Sequence, residues 1–185
     1  MIEKEYKYLV SYEDFKNTLY NLTNALKNTN YEKKSILQVN YYYDTLDLFL
    51  YKNNITYRIR QKDDRLQKQI KIKESGNKYQ KAVEYNENIK SIKRTYTFIP
   101  NFNNENKNLN IELIGNLITE RESFLINDIR IDFDKNLYLG KCDYEIEIEF
   151  QDIINDKIFS LFEKFDINNK GKYTRFINTY LNLGE

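Results

Sequence analysis

"DYEIEIEF", residues 143–150, alternates acidic and apolar side chains without a break. Successive side chains on a β-strand point to opposite faces, so Asp143, Glu145, Glu147 and Glu149 share one face and Tyr144, Ile146, Ile148 and Phe150 the other. The stretch therefore reads as a strand with one charged and one apolar side. The same parity recurs elsewhere in the chain. In "RIDFD" (130–134), Arg130, Asp132 and Asp134 oppose Ile131 and Phe133. In "TYRIR" (56–60), Arg58 and Arg60 oppose Tyr57 and Ile59, and in "QIKIK" (69–73), Lys71 and Lys73 oppose Ile70 and Ile72. Thr119 and Arg121 share a face in "TER", and Glu3, Glu5 and Lys7 share one in "IEKEYKYLV" (2–10).

The simplest reading of any one of these strands is a solvated face, because antiparallel sheets commonly leave one side in water. Wet faces usually mix signs, since like charges side by side repel. Here two strands are purely basic and another is purely acidic. Such segregation suits a site that holds metal cations and anionic oxygens together. Arg offers forked donors to phosphate and Lys a point charge, while carboxylates take hard divalent ions. Many short strands with helices at their flanks predict an α+β fold, and closing the sheet would turn the charged faces onto a wet interior, with the apolar faces outward under helices.

The remaining segments fit this scheme. "SYEDFKNTLYNLTNALKN" (11–28) places Ser11 as an N-cap and spaces Phe15, Leu19, Leu22 and Leu26 along one helical face. "ILQVNYYYDT" (36–45) predicts a strand, followed by a short helical turn capped by Thr45. Asp63-Asp64 predicts the turn of a hairpin, and Gly76-Asn77 a further break. "AVEYNENI" (82–89), "LITERESFLI" (117–126) and "DIRIDFD" (128–134) read as strands. The proline- and asparagine-containing "TFIPNFNNENKNLNIELIG" (97–115) reads as a crossing segment with one short helix. The end returns to helix, first with Ile158, Phe162 and Phe165 on one face and then through "KYTRFINTYLN" (172–182).

Composition narrows the chemistry. The chain has 185 residues, a size that fits one domain spanning 1–185. Its 29 basic and 28 acidic residues give a formal charge of +1, so whole-molecule attraction to nucleic acid or membrane is not expected. Histidine is absent, which removes Ser-His and Cys-His catalysis, and neither a G-x-S-x-G elbow nor a P-loop occurs. Cys142 is the single cysteine, so no internal disulfide can form. The acidic start, with no apolar run near the roughly 20 residues of a membrane span, leads to the expectation of a soluble cytoplasmic protein.

Several of these stretches, in this order, resemble the CYTH superfamily of triphosphate tunnel metalloenzymes: E-x-E-x-K at Glu3, Glu5 and Lys7, then "NYYYDT", "TYRIR", "IKIKE", "LITER", "LGKCDYEIEIEF" and "KYTRF". The likeness is greatest to its bacterial inorganic triphosphatase branch. The resemblance implies a closed antiparallel eight-stranded β-barrel, the triphosphate tunnel, with flanking helices. It implies that Lys7, Arg58, Arg60, Lys71, Lys73, Arg121, Lys172 and Arg175 bind the triphosphate. It also implies that Glu3, Glu5, Asp132, Glu145, Glu147 and Glu149 hold metal, two ions of Mg²⁺ or Mn²⁺. Glu3, Glu5, Lys7, Arg58 and Arg60 would carry catalysis, and Glu84 falls where the family often has an acid. The implied reaction is metal-assisted hydrolysis of tripolyphosphate to pyrophosphate and phosphate, without a covalent nucleophile. Hydrolysis of thiamine triphosphate or a nucleotide, cyclisation of ATP, and non-catalytic polyphosphate binding stand as alternatives.

Overall fold

A computed structural model describes residues 4–73, 82–100, 108–150, 156–168 and 170–183. Nine strands and four helices are present among them: β1 (Lys4–Val10), α1 (Tyr12–Ala25), β2 (Glu32–Asp44), α2 (Phe49–Lys52), β3 (Ile55–Lys62), β4 (Arg65–Lys73), β5 (Ala82–Ile89), β6 (Thr95–Phe98), β7 (Leu109–Ile126), β8 (Ile129–Tyr138), β9 (Lys141–Phe150), α3 (Asp156–Phe159) and α4 (Lys172–Asn182). The strands hydrogen-bond in the order β1-β9-β8-β7-β2-β3-β4-β5, with β6 on β7. The chain divides into two compact units, Met1–Leu37 with Ile118–Gly171 and Gln38–Leu117 with Lys172–Glu185.

In the first unit, β1, β9, β8 and the later part of β7 form an antiparallel ladder with Tyr6 opposite Ile148, Ile148 opposite Ile131, and Ile131 opposite Phe124. This row lies on the apolar face. Ser11 caps α1 by accepting from the Asp14 amide at 3.1 Å, and Leu22 and Leu26 at the far end of the helix are fully buried. Tyr8, Phe124, Phe133, Ile146, Ile158 and Phe162 complete the core, with Phe15, Leu19 and Phe165 packed against it. Each side chain of this size contributes about 1.5–3 kcal/mol when fully removed from water. The helical face expected through Ile158, Phe162 and Phe165 is shorter than the spacing suggested. Only α3 is helical, and turns carry Phe162 and Phe165 onto the same core.

In the second unit, Tyr43, Leu50, Ile55, Tyr57, Ile59, Leu109 and Ile111 form a separate core. On the other side of β2, the Tyr42 ring packs beneath α4 against Tyr173 and Phe176, with centroids 4.8 and 5.0 Å away. Gly115 is required here. Its φ is +151°, and a Cβ at this position would lie 2.7 Å from the Phe176 ring, so a side chain would push α4 away. The end of β2 is fixed by a buried carboxylate. Asp44 accepts from the amides of Thr45 (2.8 Å), Leu50 (2.8 Å) and Tyr51 (2.9 Å), and from the Tyr173 hydroxyl (2.9 Å). The expected Thr45 cap is not the helix cap: Leu48, in the left-handed region, precedes α2 and offers no capping side chain, while the Thr45 hydroxyl, in the turn before it, accepts from the Phe49 amide at 2.9 Å.

Two expectations are corrected. The sheet is open: among the described residues no hydrogen-bonded pairing joins β5 to β1, and there are nine strands rather than a closed barrel of eight. Alternation of charged and apolar residues requires only that the apolar face be covered. In the first unit α1 and the segment through Phe165 cover it, and closure does not follow from the pattern. The crossing segment is also more regular than expected. Residues 95–98 pair with 109–112 as β6 and β7, no helix falls in the described part of this segment, and 101–107 lie outside the described residues. The break at Gly76-Asn77 lies outside them too. No helix among the described residues is long and apolar enough to cross a membrane.

Candidate functional site

The register of the first unit stacks its charges in rows. Glu5 lies opposite Glu149, which lies opposite Arg130. Lys7 lies opposite Glu147, then Asp132, then Ser123. In the next row come Leu9, Glu145, Asp134 and Arg121. Two acid–acid pairs thus sit directly across β8 and β9, an arrangement that repels unless a counter-charge is present. Nor is this face solvated, because Asp132, Asp134 and Glu145 are at most 1% exposed and Glu147 is 8% exposed.

Arg121 provides the counter-charge. Its Nε and Nη2 donate to the two oxygens of Asp134, each at 2.6 Å, and Nη2 also donates to Glu147 Oε2 at 2.7 Å. Nη1 donates to Asp132, whose other oxygen accepts from the Ser123 hydroxyl at 2.6 Å. Burial would lower the Arg121 pKa, but the carboxylates of Asp134, Glu147 and Asp132 outweigh it and hold the guanidinium charged. At the rim Arg130 donates to Glu149 and lies 3.4 Å from Asp132. Lys7 is 2.7 Å from Glu5 and 3.8 Å from Glu147.

Oxygens of Asp132, Glu147 and Glu149 all come within 4.8 Å of one another. Three carboxylate oxygens at this spacing fit a hard divalent cation such as Mg²⁺ or Mn²⁺. Burial pushes the Asp132 carboxyl above its ordinary pKa against the pull of Arg121, and does the same to Glu149 against Arg130. Both therefore gain from a nearby positive charge. Of the expected metal ligands the structure gathers these three. Glu145 is on the same face in the neighbouring row, Glu5 is paired with Lys7, and Glu3 lies outside the described residues. Asp143, at the end of the acidic face, accepts from Asn136 at 2.9 Å and Tyr138 at 2.7 Å.

The second unit carries most of the expected cations. Arg58 and Arg60 lie on one face of β3, opposite Tyr42 and Asn40 of β2 and Gln69 and Gln67 of β4. Each guanidinium is oriented through Nε, Arg58 by Gln69 Oε1 at 2.7 Å and Arg60 by Asn40 Oδ1 at 3.0 Å. Lys71 pairs with Glu84 at 2.8 Å across β4 and β5. Burial pushes Glu84 up, but Lys71, with Arg58 and Arg60, outweighs it and holds the carboxyl below its ordinary range. Lys172 and Arg175 open α4, where Lys172 is part-buried and Arg175 buried. Lys73 is in β4, and its side chain lies outside what the structure describes.

Sequence reasoning did not select Asp134, Arg130 or Ser123 for the acidic cluster, nor the amides Asn40 and Gln69 that orient the arginines. Parity placed Asp134 and Arg130 on the charged face. Their partners became visible only with the pairing of β7, β8 and β9.

Comparison with known proteins bears on this arrangement. The family model of the CYTH domain matches residues 1–177. Among solved structures, a candidate adenylate cyclase from Bacillus halodurans superposes with a TM-score of 0.68 at 23% identity, covering 95% of this chain and 97% of that one. The candidate adenylyl cyclase HpAC1 from Hippeastrum, described as having a dominant triphosphatase activity, gives 0.69 at 17% identity and covers 96% of both chains. The PH1819 protein from Pyrococcus horikoshii gives 0.60 at 14% identity, covering 96% of this chain and 98% of that one. At these identities the likeness is one of fold. No curated protein sequence matches the chain.

Proposed function

The chain belongs to the CYTH-domain family, and on that premise we propose that it is a metal-dependent triphosphatase that hydrolyses inorganic tripolyphosphate to pyrophosphate and phosphate. The observation that carries this reading is the convergence of Asp132, Glu147 and Glu149 oxygens within 4.8 Å, in a chain that separately carries a face of arginine and lysine. Asp132, Glu147 and Glu149 would hold a divalent cation, and Glu5 and Glu145 stand on the same face as further ligands. Once bound, the ion supplies charge neutralisation at phosphoryl oxygens and acidifies water.

The protein's own groups account for the rest. Arg58 and Arg60, each held through Nε by an amide, would direct their guanidinium groups at phosphate oxygens and stabilise the charge that develops on the departing pyrophosphate. Lys7, Lys71, Lys73, Lys172 and Arg175 would add attraction for the polyanion. Arg121, engaged with three carboxylates, would keep the acidic cluster in place and also lend charge to substrate. With no histidine in the chain, proton transfer would fall to water, carboxylates, lysine or tyrosine.

The test is phosphate release from tripolyphosphate by the purified protein. Turnover is expected with Mg²⁺ or Mn²⁺ and none with excess chelator. ATP, thiamine triphosphate and long polyphosphate are assayed alongside, with detection of cyclic AMP. A much better organic substrate, or cyclic product, would replace the substrate assignment. Metal-independent release would remove the acidic cluster from the mechanism.

A further inference from the structure

Two hydrogen-bond donors on the basic face of the second unit are buried with no bond to any of the described residues. Neither the Tyr42 hydroxyl nor the Asn40 Nδ2 has a partner among the described residues, and both side chains are 0% exposed. A buried polar atom without a partner is costly, so two on one face call for an explanation. Their orientations are set. Arg60 Nε can only donate, so Asn40 must turn its oxygen toward Arg60, at 3.0 Å, and its NH₂ away. The Tyr42 ring is held between Tyr173 and Phe176, so its hydroxyl cannot swing to another site without moving α4.

Their neighbours are cations. Tyr42 lies opposite Arg58 and Asn40 opposite Arg60. Burial is the largest influence on the Tyr42 phenol and raises its pKa, against the opposing fields of Arg58, Lys172, Arg60 and Arg175. The group therefore remains a neutral donor at ordinary pH. If Tyr42 served only as wall packing, phenylalanine would serve better, since it carries no hydroxyl to bury.

We propose that Asn40 and Tyr42 are the neutral donors of the anion site on this face, bonding phosphoryl oxygens that Arg58, Arg60 and Lys172 attract. This rests on the triphosphate reading given above and adds direction to it. Cations draw any anion, whereas two fixed donors select one whose oxygens fall at their spacing. Arg58, Arg60 and Lys172 are only part-buried, so their long chains can shift onto an arriving anion and bring the donors within its reach.

The experiment compares wild type, Tyr42→Phe and Asn40→Ala by thermal unfolding and by calorimetric titration with tripolyphosphate, pyrophosphate and orthophosphate. Tyr42→Phe is expected to melt no lower than wild type, yet to bind tripolyphosphate about 5- to 30-fold more weakly. Asn40→Ala is expected to lose at least as much affinity, because Arg60 loses its anchor as well. Wild-type affinity in Tyr42→Phe would overturn the donor assignment and leave the triphosphate reading standing. A clear fall in its melting temperature would also overturn it, by showing that the hydroxyl has a partner within the protein. Failure of the wild type to bind any of these anions would remove both readings together.

Discussion

Replacing Asp44 with Asn tests whether one buried carboxylate organises the start of α4. Its Oδ1 takes the Thr45 and Leu50 amides and its Oδ2 takes the Tyr51 amide and the Tyr173 hydroxyl. The substituted side chain keeps one acceptor oxygen, but its NH₂ faces the Tyr51 N–H donor to donor; the Tyr173 hydroxyl can rotate and accept instead. One bond to a charged acceptor, about 1.5–3 kcal/mol, is lost, and an amide left buried without a partner adds about 1–3 kcal/mol. Allowing for partial relaxation, Asp44→Asn is expected to cost about 3–4 kcal/mol, or roughly 6–16 °C in Tm for a chain of this length. Urea unfolding followed by circular dichroism measures it directly. Tyr173→Phe alone should cost about 1 kcal/mol, and the two changes together less than their sum, because they share a bond. Since Lys172 and Arg175 flank Tyr173 on α4, Asp44→Asn should also raise the KM for tripolyphosphate. An Asp44→Asn protein within 0.5 kcal/mol of wild type would refute the reasoning, that limit being about the ordinary scatter of surface substitutions.

Two further outcomes follow from buried charge and buried phenols. Arg121→Met leaves Asp132, Asp134 and Glu147 without their shared counter-ion and should destabilise the protein by about 3–5 kcal/mol. Mg²⁺ or Mn²⁺ should restore part of that loss in urea titrations, and unchanged stability without metal would show that the cluster does not depend on this guanidinium. Burial raises the phenol pKa values of Tyr43, Tyr57 and Tyr173, so the folded chain keeps protons that unfolded tyrosine releases near about pH 10. Their stabilising contribution is complete below that pH and is lost as pH rises toward the folded values. With 17 tyrosines and no tryptophan, tyrosinate absorbance reports this directly. These three buried phenols should ionise only with loss of secondary structure; their ionisation with the fold intact would contradict the burial.

Charge parity made much of the site legible. It placed Asp132, Glu147 and Glu149 on one face of their strands, and Arg58 with Arg60 on the face of another. It could not show which carboxylates would meet, because Asp134 acquires its role from Arg121 thirteen positions away in the chain and directly opposite in the sheet. Asn40 and Gln69 escaped the sorting, although they orient the two arginines. Among the elements, α1 was readable from Ser11 and its leucine spacing. The start of β7 was obscured by surrounding asparagines, despite the alternation of Leu109, Asn110 and Ile111 that proved to be buried, exposed, buried. Sheet closure was beyond the pattern, because a strand's two faces carry no information about whether the edges of its sheet meet.

The two-faced ladder of β1, β9 and β8 also predicts which genetic changes the gene can absorb. Many substitutions at Tyr144, Ile146 or Phe133 that stay apolar would leave the acidic row where it is. A single-codon deletion or insertion within 143–150 would instead carry every later side chain of β9 to the opposite side, setting carboxylates against Leu22 and Phe162 and isoleucines against Arg121. Lineages of this protein should therefore diverge widely in residue identity while the lengths of these strands stay fixed, with gaps confined to the connections between them.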